Sequence, residues 1–382
     1  MPLQNATLPR EIPAADPLSP VSPDDAAGEW SRIAQRDLSA ENGFTREQKL
    51  RAYEFGFLPR EAHNFRLTEA NSDRIASERD WLYARTRDDV WARRLADRAS
   101  ARALFGAHAG HLEPMHYHIL VRAGRLFCVP TSEEAHAAGA GLDGMHAFLT
   151  SHGPATVAGS DWSCAPRARL QAADGPEARF ALDGLPLSDE QLEGWLEPAA
   201  QVHELALIDP PTFGNALSPL APGASPVVQL FMIHPRDEEP RCAQALIRVG
   251  RDEDGDPSRH ERFARVDAFG EFWCLEELDA YGRIRRRATA PGSARPFLGA
   301  VPCWEDMQAH LTALMRLVPA VELAAFELVV GAQDFAVVGI DARPPYNRVV
   351  PATPELSRFV IAKARERRAE MAAEVSGRPL SH

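Results

Sequence analysis

Residues 301–347 constrain the fold of this chain more than any other segment. They run VPCWEDMQAHLTALMRLVP, then AAFELVV, then FAVVGIDARPPYN. Trp304, Met307, Leu311, Leu314, Met315 and Val318 recur at three–four spacing, the pattern of a helix with one apolar face. Two short apolar runs follow, each long enough for a strand, and each carries one acid: Glu327 and Asp341, fourteen positions apart. Two carboxylates on adjacent strands are what a divalent cation and a triphosphate need, provided both point to one side. Side chains alternate across a strand. A four-residue GAQD turn therefore sends the two acids to opposite faces, whereas a bulge or an odd-numbered loop brings them together. Arg343, two positions after Asp341, either binds phosphate directly or pairs with one of these acids.

The rest of the chain divides by pattern. Residues 1–28, rich in proline and acid, read as a flexible leader without the basic-then-apolar order of a secretory signal. Residues 29–105 read as helical: WSRIAQRDL, REQKLRAYEFGF and a third helix over DDVWARRLADRASARALFG. Residues 106–205 open with a hairpin in YHILVRAGRLFCVP, with Gly124 in its turn. A weakly patterned stretch follows over 131–165, then an Asp183-Gly184 turn and a helix capped by Ser188 and Gln191. Residues 206–350 carry two strands, PVVQLFMIHP and RCAQALIRVG, a charged insertion RDEDGDPSRHER, a strand pair in FGEFWCLEELDAYGRI, and the closing helix and hairpin. Residues 351–382 form a terminal helix and tail, with Thr353 as N-cap and Pro354 at the first position, facing solvent. Helices, then mixed strands, then helix and hairpin give an α+β class with more than one antiparallel sheet.

Composition narrows the function classes. The chain has 382 residues, enough for two or three subdomains, and 45% apolar residues. Its net charge is −12, which argues against nonspecific binding to nucleic acid or an anionic membrane. No apolar run is long enough to span a membrane. Five cysteines with no CxxC pair suit reduced cysteine in a cytoplasmic protein. Lys49 and Lys363 are the only lysines, so phosphate contacts fall to arginine.

The closing segment resembles the ATP-grasp superfamily, and within it the sugar-transfer-associated subgroup. That pattern runs P-x-W, helix, Pro, a strand with an acid, and a strand ending in Glu-x-Asn. Here Pro302-Cys303-Trp304 opens it and Pro319 ends the helix. Glu327 stands at the usual Asp, Asp341 at the Glu, and Arg343 at the Asn. Upstream, Arg248-Val249-Gly250 resembles the family's strand ending in arginine. Asp267 and Gly270 match a loop, and Asp97-Arg98 stands at an Asp-Lys. The family's Lys-Pro strand and glycine-rich phosphate loop correspond to PATVAGSDWSCAPRARL, which has no lysine and one glycine, Gly159.

The resemblance implies an ATP-grasp fold, with a helical N-terminal lead-in and two α+β subdomains clasping a cleft. It implies an ATP- and Mg2+-dependent ligase that activates a small-molecule carboxylate as an acyl phosphate for attack by an amine or hydroxyl, in envelope-polysaccharide or secondary-metabolite assembly. Glu327 and Asp341 would hold Mg2+. Arg248 and Arg343 would act on phosphate or substrate, and Arg98, Arg248 and Glu197 would contact the nucleotide. The alternative is a degenerate ATP-grasp protein that binds a partner or metabolite without catalysis.

His108, His111, His116 and His118 cluster with Glu113. His116 and His118 would share a strand face, and Gly110 followed by His116-x-His118 resembles the opening of a cupin metal motif. The glutamate that motif wants next is replaced by Arg122 and Ala123, and no second motif follows. Ordinary polar histidines are the other reading.

Overall fold

The computed structural model describes residues 23–85, 89–162, 168–173, 175, 178–202, 204–222, 225–249, 262–278, 283–290 and 292–376. The leader up to residue 22, Cys164, His203, Gly250 and nearly all of the charged insertion lie outside them.

Six helices form the N-terminal part: α1 (Pro23–Ser39), α2 (Arg46–Glu54), α3 (Pro59–Asn64), α4 (Glu78–Ala84), α5 (Asp89–Ala96) and α6 (Arg98–Phe105). The single helix expected over 88–106 is two. Asp97 leaves the helical conformation, accepts the Ser100 N–H through its carboxylate as the N-cap of α6, and bridges to Asp161. Lys49 is buried, its ammonium on the carbonyls of Asp37 (2.7 Å) and Ala40 (2.6 Å) at the end of α1. That is favourable for a cation at a helix C-terminus. It also means that this lysine serves the fold.

The first sheet has seven antiparallel strands in the order β2-β1-β7-β3-β4-β5-β6. They are β1 (Met115–Arg122), β2 (Arg125–Pro130), β3 (Ala155–Gly159), β4 (Ala168–Ala172), β5 (Phe180–Leu182), β6 (Leu185–Leu187) and β7 (Leu205–Ile208). Its two tight hairpins fall where the sequence placed them. Arg122 faces Arg125 across Ala123 and Gly124, and Leu182 faces Leu185 across Asp183 and Gly184. All four turn residues have positive φ, as the favoured two-residue hairpin turn requires. Helices α7 (Glu133–Ala138), α8 (Gly141–His152) and α9 (Asp189–Val202) cover one face through Met145, Phe148, Leu192 and Leu196. Ser188 and Gln191 form the expected reciprocal cap.

The second sheet is also antiparallel and seven-stranded, in the order β13-β12-β10-β9-β8-β15-β16. Its strands are β8 (Val227–Ile233), β9 (Arg241–Val249), β10 (Arg262–Val266), β12 (Leu275–Leu278), β13 (Ile284–Arg287), β15 (Leu323–Val330) and β16 (Phe335–Asp341). Strands β11 (Glu271–Phe272) and β14 (Gly299–Ala300) pair beside it. On one face lies α10 (Trp304–Leu317), whose Met307, Leu311, Leu314 and Met315 are fully buried against β8, β9 and β15. The Asp267–Gly270 turn packs against the start of α10. Trp304 donates to the Ala268 carbonyl at 3.0 Å, and a Cβ on Gly270 would lie 2.7 Å from the Trp304 ring.

The opposite face is covered by α4 and α11 (Pro354–Ser376). Thr353 caps α11 as expected, but the helix is not simply solvent-facing. Leu356, Val360, Ile361 and Ala364 are buried, and Arg368 reaches Asp80 on α4 at 2.6 Å. The architecture is thus α+β, with helices leading into two antiparallel sheets. Strand β7 extends the first sheet to Ile208, just past the expected division at 205/206.

Candidate functional site

The closing hairpin does have the four-residue turn that would part its two acids, and a bulge reverses the outcome. Leu328 faces Val337 and Glu327 faces Gly339, so Val338 is an extra residue on β16. Beyond it the alternation is inverted, and Asp341 falls opposite Ala325, two positions from Glu327. Both acids therefore point to the α4/α11 side of the second sheet, the side of Ala325, Phe231 and Leu246. Gly339 belongs to the same device. A Cβ there would lie 3.0 Å from the Glu327 Cβ and 3.2 Å from its Oε2, so glycine leaves room for the glutamate to stand upright. A glycine inside a strand pattern is the signal that could have revealed this.

Strand β9 brings Arg248 to the same face. Its guanidinium donates to Glu327 Oε2 at 2.8 Å, and Gln229 on β8 donates to Oε1 at 3.4 Å. The pair is about one-third exposed at the arginine and less at the acid. One row further, Glu276 receives Arg265 and Arg286 at 3.1 Å each. The sheet thus presents a polar strip of paired charges beside the part that α11 covers.

Asp341 ends β16. Its Oδ1 accepts the Arg343 backbone N–H at 2.7 Å, closing a turn that sets the direction of Arg343. Although Asp341 keeps contact with solvent, the surrounding protein raises its carboxyl above the usual range, against the opposing Arg343 N–H and Arg85. Burial lowers the Arg343 guanidinium, and Arg85 adds like-charge repulsion. Arg85, at the end of α4, was not singled out from sequence. With Arg343, Glu322 and Lys363 it lines a narrow cleft with about 30 Å³ of free space. Lys363 is held there by Glu322 at 2.7 Å and Glu366 at 3.0 Å.

The structure does not bring Arg98 or Glu197 to this face. Arg98 is 2% exposed at the seam with the first sheet. It donates to Glu113 Oε2 at 2.5 Å and to the Gly159 carbonyl at 3.1 Å, and it lies over the Trp162 ring at 4.1 Å. Glu197 is on α9, which packs on the first sheet, and accepts from Gln201 at 3.4 Å. The residues matching the family's phosphate loop are partly outside the described ones, at 163–167.

The histidine cluster is dispersed. A bulge between Met115 and Tyr117 parts His116 from His118. His118 lies opposite Ala206 and binds Glu204 at 2.9 Å. His116 turns to α8, packing against Phe148 and His152. His111 stacks on Phe335, centroids 4.1 Å apart. A His-x-His metal pair of cupin type is therefore excluded by the backbone.

No known protein-family profile matches the chain, and no curated protein matches it. Solved structures do. The D-alanine–D-alanine ligase from Coxiella burnetii aligns at 8% identity and TM-score 0.32, over 75% of this chain and 62% of that one. The biotin carboxylase domain of the Hydrogenobacter thermophilus 2-oxoglutarate carboxylase, solved with MgADP and bicarbonate, aligns at 9% and 0.35, over 72% and 46%. An N5-carboxyaminoimidazole ribonucleotide synthetase solved with ADP aligns at 10% and 0.32, over 67% and 46%. The chain thus spans about half to three-fifths of the length of these structures.

Proposed function

We propose that this chain is an ATP- and Mg2+-dependent ligase that activates a small-molecule carboxylate for attack by an amine or hydroxyl. The observation that carries the reading is the bulge at Val338, which sets Glu327 and Asp341 on one face beside Arg248. Glu327 and Arg248 neutralise each other at 2.8 Å. An incoming cation together with a phosphate can replace both halves of that pair at once, with no charge left bare. Glu327 and Asp341 would hold the magnesium, and Arg248 and Arg343 the phosphates. When bound, Mg-ATP supplies the phosphoryl group that turns a carboxylate into an acyl phosphate. The chain's own residues hold and orient the anions.

Arg98 and Glu197 are given no part in this reading, because their contacts place them elsewhere. The degenerate binding protein is the second reading, motivated by the arginine at position 343. Envelope-polysaccharide or secondary-metabolite assembly is the setting that the resembling subgroup suggests.

A thermal melt with and without millimolar Mg-ATP, repeated with Asp341→Ala, tests the proposal. A ligand at about a hundred times its Kd adds about 2.7 kcal/mol. A magnesium-dependent rise in Tm that Asp341→Ala abolishes supports the site. No rise in the parent chain refutes it and leaves the non-catalytic reading.

A further inference from the structure

Three donors on three separate elements of the first sheet converge on one point. His116 sits in the bulge of β1, His152 is the last residue of α8, and Asp209 follows β7 where the chain leaves the sheet. His116 Nε2 lies 2.9 Å from Asp209 Oδ2, and His152 Nε2 lies 3.0 Å from both carboxylate oxygens. The ligand atoms of all three lie within 4.8 Å of one another. Among the described residues, no other group of three or more His, Cys, Asp or Glu is so placed. We propose that His116, His152 and Asp209 form a binding site for a divalent transition metal of the zinc class, unrelated to the Glu327–Asp341 site.

The support around the donors is that of a held site. His116 is 5% exposed, and its Nδ1 lies 3.0 Å from the Ser132 hydroxyl. Ser132 Oγ also accepts the Ala135 N–H as the N-cap of α7, so the oxygen cannot move with the ring. Hydrogen bonding at one imidazole nitrogen fixes ring orientation and leaves the other to face a metal. Phe148 packs against both imidazoles, tilted on His116 at 4.6 Å and stacked on His152 at 4.5 Å. The two rings are 4.8 Å apart. A dication bound by two neutral imidazoles and one carboxylate would join all three donors.

The donor set also selects the ion. Two imidazoles and one carboxylate suit zinc and its neighbours, whereas magnesium and calcium prefer oxygen. Tetrahedral zinc at about 2.1 Å from each donor places the donors roughly 3.4 Å apart. The two histidine–carboxylate separations would open by about 0.4–0.5 Å, and the two imidazole nitrogens, within 4.8 Å of each other, would settle at the same spacing. His152 and Asp209 keep 31% and 23% side-chain exposure, so a fourth position faces solvent and can take water or an anionic ligand. The bound ion would tie β1 and α8 to the segment that leads into the second sheet.

The test uses the full chain, stripped with chelator and titrated with Zn2+ in a competitive-indicator assay, then loaded with Co2+ for visible absorption. The expected result is one ion per chain with submicromolar Kd, and the intense visible bands of four-coordinate Co2+. Affinity should fall more than about a hundredfold in both His152→Gln and Asp209→Asn, each of which keeps side-chain volume. Glu204→Gln, whose carboxylate meets His118 and Arg122 and none of the three donors, should leave affinity unchanged. Circular dichroism on each variant establishes that it is folded. The inference is overturned if the parent chain binds no stoichiometric ion, which makes the group a hydrogen-bonded His–Asp–His triad. It is equally overturned if His152→Gln and Asp209→Asn bind as tightly as the parent.

Discussion

Arg98 stands at a lysine position of the resembling family, yet its surroundings assign it to the fold, and that assignment can be measured. Its side chain is 2% exposed and that of Glu113 fully buried. The 2.5 Å contact between them is supplemented by the Gly159 carbonyl and the face of Trp162. Removing one partner of a buried ion pair leaves the other charge without its counterion, which costs about 3–5 kcal/mol. Losing the guanidinium–indole contact adds up to about 2 kcal/mol in a desolvated setting. Arg98→Met should therefore cost about 4–6 kcal/mol, and Glu113→Leu about 3–5 kcal/mol. A double variant, Arg98→Met with Glu113→Leu, removes both charges while keeping apolar volume. It should cost far less than the sum, with a coupling energy of about 3 kcal/mol or more. Urea unfolding followed by circular dichroism gives each value. The reasoning fails if either single substitution costs less than about 1 kcal/mol, or if the two effects add. A loss of nucleotide-induced stabilisation in the folded double variant would return Arg98 to the phosphate site.

Other positions make sharper local tests. Gly339→Ala places a methyl 3.0 Å from Glu327. It should abolish the Mg-ATP shift in Tm while costing only about 1–3 kcal/mol of stability, as overpacking does. Gly270→Ala meets the Trp304 ring at 2.7 Å with φ at +84°, and a destabilisation of about 2–4 kcal/mol in chemical unfolding checks it. Burial, and next the nearby Glu78, push the Glu61 carboxyl up to about 8. The folded state therefore holds that proton more tightly than the unfolded chain does. Stability from this group is full below about pH 4.5 and is lost as pH rises through 8. Glu61→Gln should flatten the fall in Tm between pH 5 and 9, and an unchanged slope would show that another group titrates there.

Much of this fold is legible in the chain because it rests on near neighbours. Positive-φ pairs such as Asp183-Gly184 make tight hairpins wherever they occur between apolar runs. Ser188 with Gln191, and Thr353 alone, satisfy helix N-termini from within a few residues. The apolar stripe of α10 announces its buried face. Where the reading stopped short, a partner from elsewhere decided. Asp97 broke an otherwise continuous helical pattern because Asp161 gave it a bridge to make. The apolar positions of α11 were hidden among charges, since its Arg368, Lys363 and Glu355 pair with Asp80, Glu322 and Arg241 on neighbouring elements.

The candidate site divides in the same way. The sequence by itself determined that Glu327 and Asp341 lie on neighbouring strands, and it stated the condition under which they meet. Only the tertiary structure supplied the bulge at Val338, because pairing register depends on the partner strand and on the space that Gly339 leaves. Likewise His116 could be named from sequence, but not its companions. His152 is 36 residues away and Asp209 is 93, and a second bulge turned His116 toward them. Residue types and short spacings are local properties of a chain. The face a side chain takes, and what meets it there, are fixed by contacts that no local pattern contains.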